Sequence, residues 1–301
     1  MRVAVTGSSG FVGSHLVPYL RGQGDDVVTI DRTGSPPVDV TDAAEVREVL
    51  RAARPEAVYH LAALSHVGQS WDAPEVVFRV NAVGALNVLR ACIDAGVERV
   101  LVAGSADVYG VVGPDDLPLT EESRIRPITP YGASKAAADV LALQTYLGDG
   151  LGTLRVRAFN HTGPGQSASM LVPGLAQRIA DAERAGSSKV KVGRVDVVRD
   201  LSDVRDVVRA YRLLVEAGTP GEAYNVCSGR GVSVGDVADT MLAMTNMPLE
   251  LVVDSELVRP VDVPRLVGSP ARLRTLTGWE AEIPLETTLR DVLDAARRDP
   301  G

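Results

Sequence analysis

The 301-residue chain contains few cysteines, few aromatic residues and few lysines. Its two cysteines, Cys92 and Cys227, lie far apart and match no metal-ligand spacing, so we expect reduced thiols, a cytoplasmic location and no metal site. Aromatic residues make up only 4% of the chain, which leaves an aliphatic core. Only three of the 31 basic residues are lysines, namely Lys135, Lys189 and Lys191, so each of them merits attention.

A surplus of basic charge and a long apolar run are also missing. The chain carries 39 acidic and 31 basic residues, a net charge of −8, and such a chain is a poor binder of nucleic-acid phosphates. No apolar run reaches the ~20 residues of a membrane-spanning helix. We therefore expect no nucleic-acid partner and no membrane, and the composition, with 45% hydrophobic and 23% charged residues, is that of a globular protein.

The sequence alternates short apolar runs with helical patterns. The runs are nearly continuous in valine, leucine, isoleucine and alanine, which is typical of strands buried on both faces of a parallel sheet. They are Arg2–Thr6, Asp26–Asp31, Ala57–Leu61, Arg99–Gly104, Gly152–Ala158 and, later, Ala223–Cys227. The predicted helices are Gly10–Arg21, Ala43–Ala53, Pro74–Ala95, Pro130–Leu147, Val172–Ala185, Asp203–Ala217, Ser233–Met244 and Leu285–Arg298.

This order of elements predicts an α/β fold with a doubly wound, Rossmann-like parallel sheet. We expect residues 1–162 to form a dinucleotide-binding domain. Residues 163–301 would form a smaller, discontinuous nucleotide-sugar-binding lobe, with parts of 195–230 packing back on the sheet.

A glycine-rich loop follows the first predicted strand and leads into the first helix. Its Gly-x-x-Gly-x-x-Gly pattern spans Gly7 to Gly13. Glycines permit a tight turn and a close approach of backbone N–H groups to a pyrophosphate, and the helix N-terminus adds its positive dipole end. The loop residues expected to bind a dinucleotide are Gly7, Ser9, Gly10, Phe11 and Val12.

The end of the second strand bears on the choice between NAD and NADP. Asp31 lies 18 residues beyond Gly13, where a carboxylate can bind the ribose hydroxyls of NAD and would repel a 2′-phosphate. Arg32 follows directly and could instead pair with that phosphate. The sequence therefore admits NAD or NADP and favours NAD weakly.

Tyr131 and Lys135 lie four residues apart at the start of a predicted helix, which puts both side chains on one helical face. A neighbouring ammonium is expected to lower the pKa of a phenol from its usual value of about 10. Such a tyrosine can exchange a proton with a carbonyl oxygen while a hydride is transferred. Ser105 follows the fourth strand at the carboxyl edge of the sheet and could donate to the same oxygen.

Together, these motifs resemble the extended short-chain dehydrogenase/reductase family over essentially the whole chain. The resemblance implies that Ser105, Asp107, Tyr131 and Lys135 are catalytic and that Lys135 also binds the nicotinamide ribose. It also implies cofactor contacts outside the glycine loop. These would come from Asp39, Val40, Leu61, Ala62, Ala63, Asn81, Tyr131, Lys135 and His161.

Finer motifs resemble the nucleotide-sugar branch of that family. The stretches Leu61–Val67, Phe159–Gln166 and Arg199–Val207 are similar to GDP-mannose 4,6-dehydratases and to their relatives, the reductases of GDP-4-keto-6-deoxy-mannose. The resemblance implies that the substrate diphosphate is held by Asn160, Arg199 and Arg259 and a ribose hydroxyl by Asp262. The remaining implied substrate contacts are His66, Asp107 and Val172.

The segment Ser105-Ala106-Asp107 argues against a dehydratase. By the resemblance, a dehydratase needs a glutamate at the position of Asp107 and a hydroxyl- or carboxyl-bearing residue at the position of Ala106. Alanine can do no proton chemistry, and aspartate is one methylene shorter, whereas a misplacement of 1 Å can cost about 10²-fold in rate. Asp107 would then position the substrate or stabilise its loop.

The sequence thus predicts an NAD(P)H-dependent 4-keto reductase of an NDP-4-keto-6-deoxyhexose, of the type that makes GDP-rhamnose. One alternative is an epimerase or 4,6-dehydratase that recycles bound NAD, and another is a non-catalytic dinucleotide sensor. The base of the nucleotide, GDP or dTDP, stays open. By analogy with relatives, the helices Pro74–Ala95 and Pro130–Leu147 would form a homodimer.

Overall fold

The computed structural model describes residues 1–258 and 263–298. Its strands are β1 (Arg2–Thr6), β2 (Asp26–Ile30), β3 (Ala57–His60), β4 (Arg99–Ala103), β5 (Gly152–Ala158), β6 (Asn160–Thr162), β7 (Lys189–Val192), β8 (Val198–Asp203), β9 (Ala223–Val226), β10 (Gly231–Ser233), β11 (Glu250–Val253) and β12 (Arg265–Leu266). Its α-helices are α1 (Phe11–Gly22), α2 (Ala43–Ala53), α3 (Pro74–Phe78), α4 (Gly84–Ala95), α5 (Pro130–Asp149), α6 (Leu171–Ala185), α7 (Val204–Ala217), α8 (Val234–Leu242), α9 (Ala271–Thr277) and α10 (Leu285–Arg298).

Six strands form the main sheet in the order β2–β1–β3–β4–β5–β9, and all neighbours in it are parallel. From β1 the chain runs outward to β2 and then returns to β3 on the other side of β1. In such sheets the crevice at the carboxyl ends of the strands, where the order reverses, is the place where ligands bind. The predicted α/β, doubly wound sheet is confirmed.

The main sheet is covered on both faces because successive strand residues point to opposite sides. Val3 and Val5 of β1 pack with Leu16 of α1 and with α7, whereas Ala4 between them packs with α2 and α4. The cluster on the side of Ala4 consists of aliphatic residues and Cys92, as the low aromatic content predicts, whereas the other cluster also buries Trp279 and three tyrosines. This double burial explains why the strand sequences are continuously apolar rather than alternating.

A second, smaller set of strands follows β5. β8 pairs in parallel with β6 and β12 and antiparallel with β10, while β7 and β11 form a separate parallel pair. Helices α6, α8 and α10 enclose a core of their own, which includes Ile179, Met241 and Leu293. In contrast, β9 lies at the edge of the main sheet and α7 packs against α1, so the chain of the second half returns to the first.

The helix Pro74–Ala95 contains a π-helical turn at Arg79–Val83 between α3 and α4. By length and composition this helix could cross a membrane, but half of its most apolar window is buried inside the protein. Val88 and Leu89 of α4 are fully buried in the core beside the main sheet. The helix therefore has the burial of a core helix.

Candidate active site

The glycine loop forms a tight cradle between β1 and α1. Gly7 adopts a φ of +69°, and a Cβ there would lie 2.7 Å from the backbone nitrogen of Ala62. At Gly13, a Cβ would lie 2.4 Å from the carbonyl oxygen of Gly7, so α1 can approach the loop only with glycine here. The N-cap residue Gly10 supplies no side-chain cap to the first turn of α1. Uncapped N–H groups at a helix N-terminus suit a phosphate group, and this donor set fits a dinucleotide.

Asp31 lies directly beside the cradle, just after β2. Its carboxylate accepts hydrogen bonds from the backbone N–H of Ser9 at 3.0 Å and from the backbone and hydroxyl of Thr33 at 3.2 Å. Desolvation opposes ionisation of Asp31, but these hydrogen bonds outweigh it and hold its pKa below the usual value. A negative charge is therefore fixed where a ribose is expected, while Arg32 beside it is exposed.

Asp39 and Val40, two of the predicted cofactor contacts, lie between β2 and α2. Hydrogen bonds from the backbone and hydroxyl of Thr41, both at 2.8 Å, lower the pKa of Asp39. Val40 is buried and contacts Gly84 at the start of α4. Asp39 therefore stays ionised, and Val40 contributes to the wall of the core.

The end of β3 is fixed by buried polar contacts. The hydroxyl of Thr6 hydrogen-bonds the ring of His60 at 2.8 Å and lies 3.3 Å from the backbone nitrogen of Ala62. Burial lowers the pKa of His60 to about 3, so this histidine is neutral and structural. Leu61, Ala62 and Ala63, which follow β3, are half-buried at the carboxyl edge of the sheet.

Asn81 lies in the π-helical turn and uses its whole amide to connect two parts of the site. Its oxygen accepts from the backbone N–H of Leu64 at 2.8 Å, and its nitrogen donates to the carbonyl of Leu64 at 3.0 Å and to the hydroxyl of Ser134 at 2.9 Å. Ser134 in turn donates to the carbonyl of Tyr131. In this structure Asn81 positions the β3 loop against the helix of Tyr131, and its contact with a cofactor stays a prediction.

Tyr131 and Lys135 lie on one face of the first turns of α5, as their spacing predicts. Thr129 caps this helix by accepting from the N–H of Gly132 at 2.9 Å. The ammonium of Lys135 donates to the carbonyl of Ala103 at the end of β4, at 2.8 Å. Burial lowers the pKa of Lys135 to about 8. Both side chains are buried and face the carboxyl edge of the main sheet.

The expected direction of the Tyr131 pKa shift is wrong for this structure. Burial and the negative charge of Asp107 raise the pKa of Tyr131 above its ordinary value, and a hydrogen bond with Ser105 opposes them only in part. The Lys135 ammonium is instead engaged by the Ala103 carbonyl. Tyr131 is therefore held as a neutral phenol, which can donate a proton.

Ser105 and Asp107 form a compact unit beside Tyr131. The hydroxyl of Ser105 donates to the Asp107 carboxylate at 3.0 Å and accepts from the Asp107 N–H at 3.2 Å. Ser105 thereby caps the short 3₁₀ helix Ala106–Val108. A Cβ on Gly132 would lie 2.8 Å from the carbonyl oxygen of Asp107, so this loop rests directly on the first turn of α5.

The predicted substrate residues lie on several elements. Asn160 is exposed at the start of β6, and His161 beside it stacks on Phe11 of the cradle, with ring centroids 6.1 Å apart. Arg199 in β8 donates to the carbonyls of Val198 and Val263. The ring of His66, another predicted position, accepts from the N–H of Gln69. Val172 is buried in the core enclosed by α6, α8 and α10. Arg259 and Asp262 lie outside the described residues.

Sequence reasoning missed two hydroxyls that support Tyr131. Ser70 accepts from the N–H of Tyr131 at 3.3 Å and donates to the carbonyl of Val67. Ser134 accepts from the amide of Asn81 and donates to the carbonyl of Tyr131. Ser134 stands inside the Tyr131–Lys135 motif, so its position was available as a signal. Ser70 offers no comparable local signal, because its contact spans 61 positions of the chain.

No group of three or more His, Cys, Asp or Glu side chains within residues 1–258 and 263–298 is arranged to hold a metal ion.

A doubly wound sheet with a glycine cradle and with Ser105, Tyr131 and Lys135 at its carboxyl edge defines an NAD(P)-dependent oxidoreductase of the short-chain dehydrogenase/reductase type. The chain matches the family model of GDP-mannose 4,6 dehydratase over residues 4–292 and therefore belongs to this family. The predicted family is thus confirmed.

Among its relatives, the chain is similar to GDP-6-deoxy-D-mannose reductase of Pseudomonas aeruginosa, with 36% identity covering 97% of this chain and 96% of the relative. The solved structure of RMD from Pseudomonas aeruginosa complexed with NADPH superimposes with a TM-score of 0.90 at 35% identity and covers 99% of both chains. The Thermus thermophilus UDP-glucose 4-epimerase in complex with NAD does so with a TM-score of 0.88 at 30% identity, again covering 99% of both.

Proposed function

We propose that this protein is an NAD(P)H-dependent reductase of an NDP-4-keto-6-deoxyhexose, and that its substrate is GDP-4-keto-6-deoxy-mannose. The observation that carries the proposal is the meeting of the Ser105 hydroxyl and the neutral Tyr131 phenol, with Ala106 between Ser105 and Asp107. This arrangement supplies one proton and a second hydrogen-bond donor. It supplies no glutamate for the removal of a sugar proton.

In the proposed reaction, NAD(P)H supplies the hydride that reaches C4 of the sugar. Tyr131 donates its phenolic proton to the C4 oxygen, which becomes the product hydroxyl. Ser105 donates a hydrogen bond to the same oxygen and so stabilises the negative charge that develops there. Lys135, one turn from Tyr131 on α5, would bind the nicotinamide ribose from its position at the Ala103 carbonyl.

The glycine cradle, Asp31 and Asp39 would hold the dinucleotide along the carboxyl edge of the main sheet. We propose that the nucleotide sugar lies between this edge and the lobe formed by 163–301, with Asn160 and Arg199 at its diphosphate. Arginine suits that role because its planar fork can bind phosphate through two donors. The relatedness to a GDP-sugar reductase supports GDP over dTDP.

The test is incubation of the purified protein with GDP- and dTDP-4-keto-6-deoxyhexoses and with NADH or NADPH. We expect stoichiometric oxidation of the nicotinamide and formation of a 4-hydroxy sugar, whose configuration is determined by NMR. Turnover of the sugar without net oxidation of the nicotinamide would instead identify an epimerase that recycles NAD. Binding of the dinucleotide without turnover of any keto-sugar would identify a sensor.

Tyr131→Phe separates proton donation from binding. We expect kcat to fall by about 10²- to 10⁴-fold, because the general acid is lost. The Kd for NADPH should stay within twofold, since the phenol oxygen contributes little to the pyrophosphate cradle. Tyr59→Phe is the control, because Tyr59 on β3 is a buried tyrosine in the core beside α1, and the charged groups near its phenol include Asp25 and Arg212. Full activity of Tyr131→Phe would refute the mechanism.

We also propose a homodimer formed by the helices Pro74–Ala95 and Pro130–Asp149. Both helices carry apolar side chains that are exposed in the single chain, among them Val76, Val83, Val140 and Leu147. A monomeric protein rarely leaves such an apolar patch exposed on two adjacent helices, so we expect a second copy of the chain to cover it. Leu147→Asp is expected to shift the mass measured by light scattering from dimer to monomer, whereas Val253→Asp, on β11, should leave it unchanged. A monomeric wild-type protein would contradict the proposal.

The same protein is proposed to act in the cytoplasm. Both of its cysteines are free and buried, and burial raises the pKa of each thiol, which keeps them unreactive. A protein that needs no disulfide suits a reducing compartment.

A further inference from the structure

A chain of buried polar side chains links the helix of Tyr131 to the loop of Ser105. Asp139 on α5 accepts from Arg157 on β5, with its two oxygens 3.2 and 3.3 Å from Nε and Nη2 of the guanidinium. The Nη1 atom of Arg157 donates to the phenol oxygen of Tyr109 at 3.2 Å. Tyr109 in turn donates to the side-chain oxygen of Asn225 on β9 at 2.7 Å. We call Asp139, Arg157 and Tyr109 the buried clamp.

The buried clamp is held rigidly because none of its groups reaches water. Asp139, Arg157 and Tyr109 are at most 4% exposed. The Arg157 guanidinium also lies over the Tyr109 ring, 5.4 Å from its centroid, and donates to the carbonyl of Glu121 at 2.8 Å. A buried charge without partners is costly in free energy, so any motion that separates these groups is strongly disfavoured.

Both ends of the buried clamp lie close along the chain to reacting groups. Asp139 is four residues after Lys135 and eight after Tyr131, so all three lie along one side of α5. Tyr109 is four residues after Ser105 and directly follows the 3₁₀ helix that Ser105 caps. The distance between the hydroxyls of Ser105 and Tyr131 therefore depends on α5, on the loop of Ser105 and on the buried clamp between them.

We propose that Arg157 and Tyr109 are positioning residues for carbonyl reduction: through the buried clamp they hold Ser105 at the distance from Tyr131 at which both hydroxyls reach one carbonyl oxygen. This inference rests on the proposed reductase function. Neither residue touches the substrate, and each acts through Ser105.

The Tyr109→Phe variant tests the inference, since it removes one hydroxyl and keeps the buried ring. Loss of Arg157 would be less specific, because it would remove a buried charge and leave Asp139 paired with Arg155 alone. We expect kcat to fall about tenfold, in proportion to a shift of a few tenths of an ångström. The KM for the sugar nucleotide and the Kd for NADPH should stay within twofold.

Tyr224→Phe is the matched control. Tyr224 is buried on β9, the edge strand that also carries Asn225, and its hydroxyl accepts from the N–H of Thr219 at 2.9 Å. Its loss should lower Tm about as much as Tyr109→Phe does and leave kcat unchanged. Equal losses of kcat in the two variants would mean that Tyr109 acts only through stability, and this would overturn the inference.

A double-mutant cycle with Ser105→Ala asks whether Tyr109 acts through Ser105. In the Ser105→Ala background, Tyr109→Phe should change kcat by less than about twofold, because the group that it positions is absent. The same tenfold loss in both backgrounds would refute the inference. If the wild-type protein reduces no keto-sugar, the proposed function fails on its own. In that case, crystal structures of the wild type and of Tyr109→Phe test the inference. We expect the distance between the hydroxyl oxygens of Ser105 and Tyr131 to differ between them, and an unchanged distance would overturn the inference.

Discussion

Gly132 offers a sharp test of how closely the Ser105 loop must approach the helix of Tyr131. A Cβ at this position would lie 2.8 Å from the carbonyl oxygen of Asp107 and 3.2 Å from Pro127 Cβ and Thr129 Oγ1. Ordinary contact begins at 3.4 Å, so in Gly132→Ala the Asp107 carbonyl has to retreat by about 0.6 Å. The loop that carries Ser105 would move away from the Tyr131 phenol.

The magnitude follows from two opposing effects. In a helix, replacing glycine by alanine stabilises by up to about 1 kcal/mol, and overpacking costs about 1–3 kcal/mol. The free energy of unfolding should therefore fall by no more than about 3 kcal/mol, which leaves the variant folded. Activity is more sensitive, because a displacement of 1 Å can cost about 10²-fold in rate, so we expect kcat to fall at least about tenfold.

The assay is steady-state nicotinamide oxidation combined with urea unfolding of the same preparations. Gly148→Ala, near the end of the same helix, is the control, since the nearest group to its Cβ is the mobile amide of Gln144, at 3.0 Å. It should raise the free energy of unfolding slightly and leave kcat unchanged. A Gly132→Ala variant with wild-type kcat would show that the approach of the loop to α5 does not control the reaction.

Two further predictions concern charge. Asp31→Asn should raise the ratio of kcat/KM with NADPH to kcat/KM with NADH by about tenfold, since removing a charge near a 2′-phosphate contributes about 1 kcal/mol or more. The control Asp26→Asn, at the other end of β2, should leave this ratio unchanged. An unchanged ratio for Asp31→Asn would contradict the assignment of Asp31 to the cofactor ribose. His60 has a pKa near 3 when folded and about 6.5 when unfolded, so only the unfolded chain takes up its proton between these values. The free energy of unfolding should therefore fall by about 1 kcal/mol per pH unit as the pH drops from 6 to 4. The measurement is the urea midpoint as a function of pH, for the wild type and for His60→Gln. If the midpoint of His60→Gln depends on pH as steeply as that of the wild type, His60 is not the source of the loss of stability.

The part of the fold that the sequence predicts best is the main sheet. The ends of β1 and β5 and of helices α2 and α10 agree with the predictions, because double burial makes the strands continuously apolar and caps such as Asp42 mark where a helix begins. The short strands β6 to β8 and β10 to β12 were not predicted. They have two to six residues, and their apolar positions are set by packing between segments that are distant along the chain.

Candidate site residues divide in the same way. The glycine cradle and the Tyr131–Lys135 pair are contiguous motifs whose place in the fold can be predicted from spacing alone, whereas the direction of the Tyr131 pKa shift cannot. In contrast, the contact between Arg157 and Tyr109 spans 48 positions, and the contact between Tyr109 and Asn225 spans 116. Their side chains belong to different strands and loops, so one sequence contains no pattern that joins them.

The direction of the Tyr131 pKa shift connects this geometry to the direction of the reaction. The Tyr131–Lys135 spacing alone suggests a phenolate, which would serve an enzyme that begins by oxidising its sugar. In the folded protein, burial and the Asp107 carboxylate raise the pKa of Tyr131, so the phenol keeps its proton at neutral pH. A reductase needs that proton, because the C4 oxygen must take it up to become the hydroxyl group of the product. Burial of the tyrosine and the loss of proton chemistry at Ala106 are independent features, and both favour reduction over dehydration.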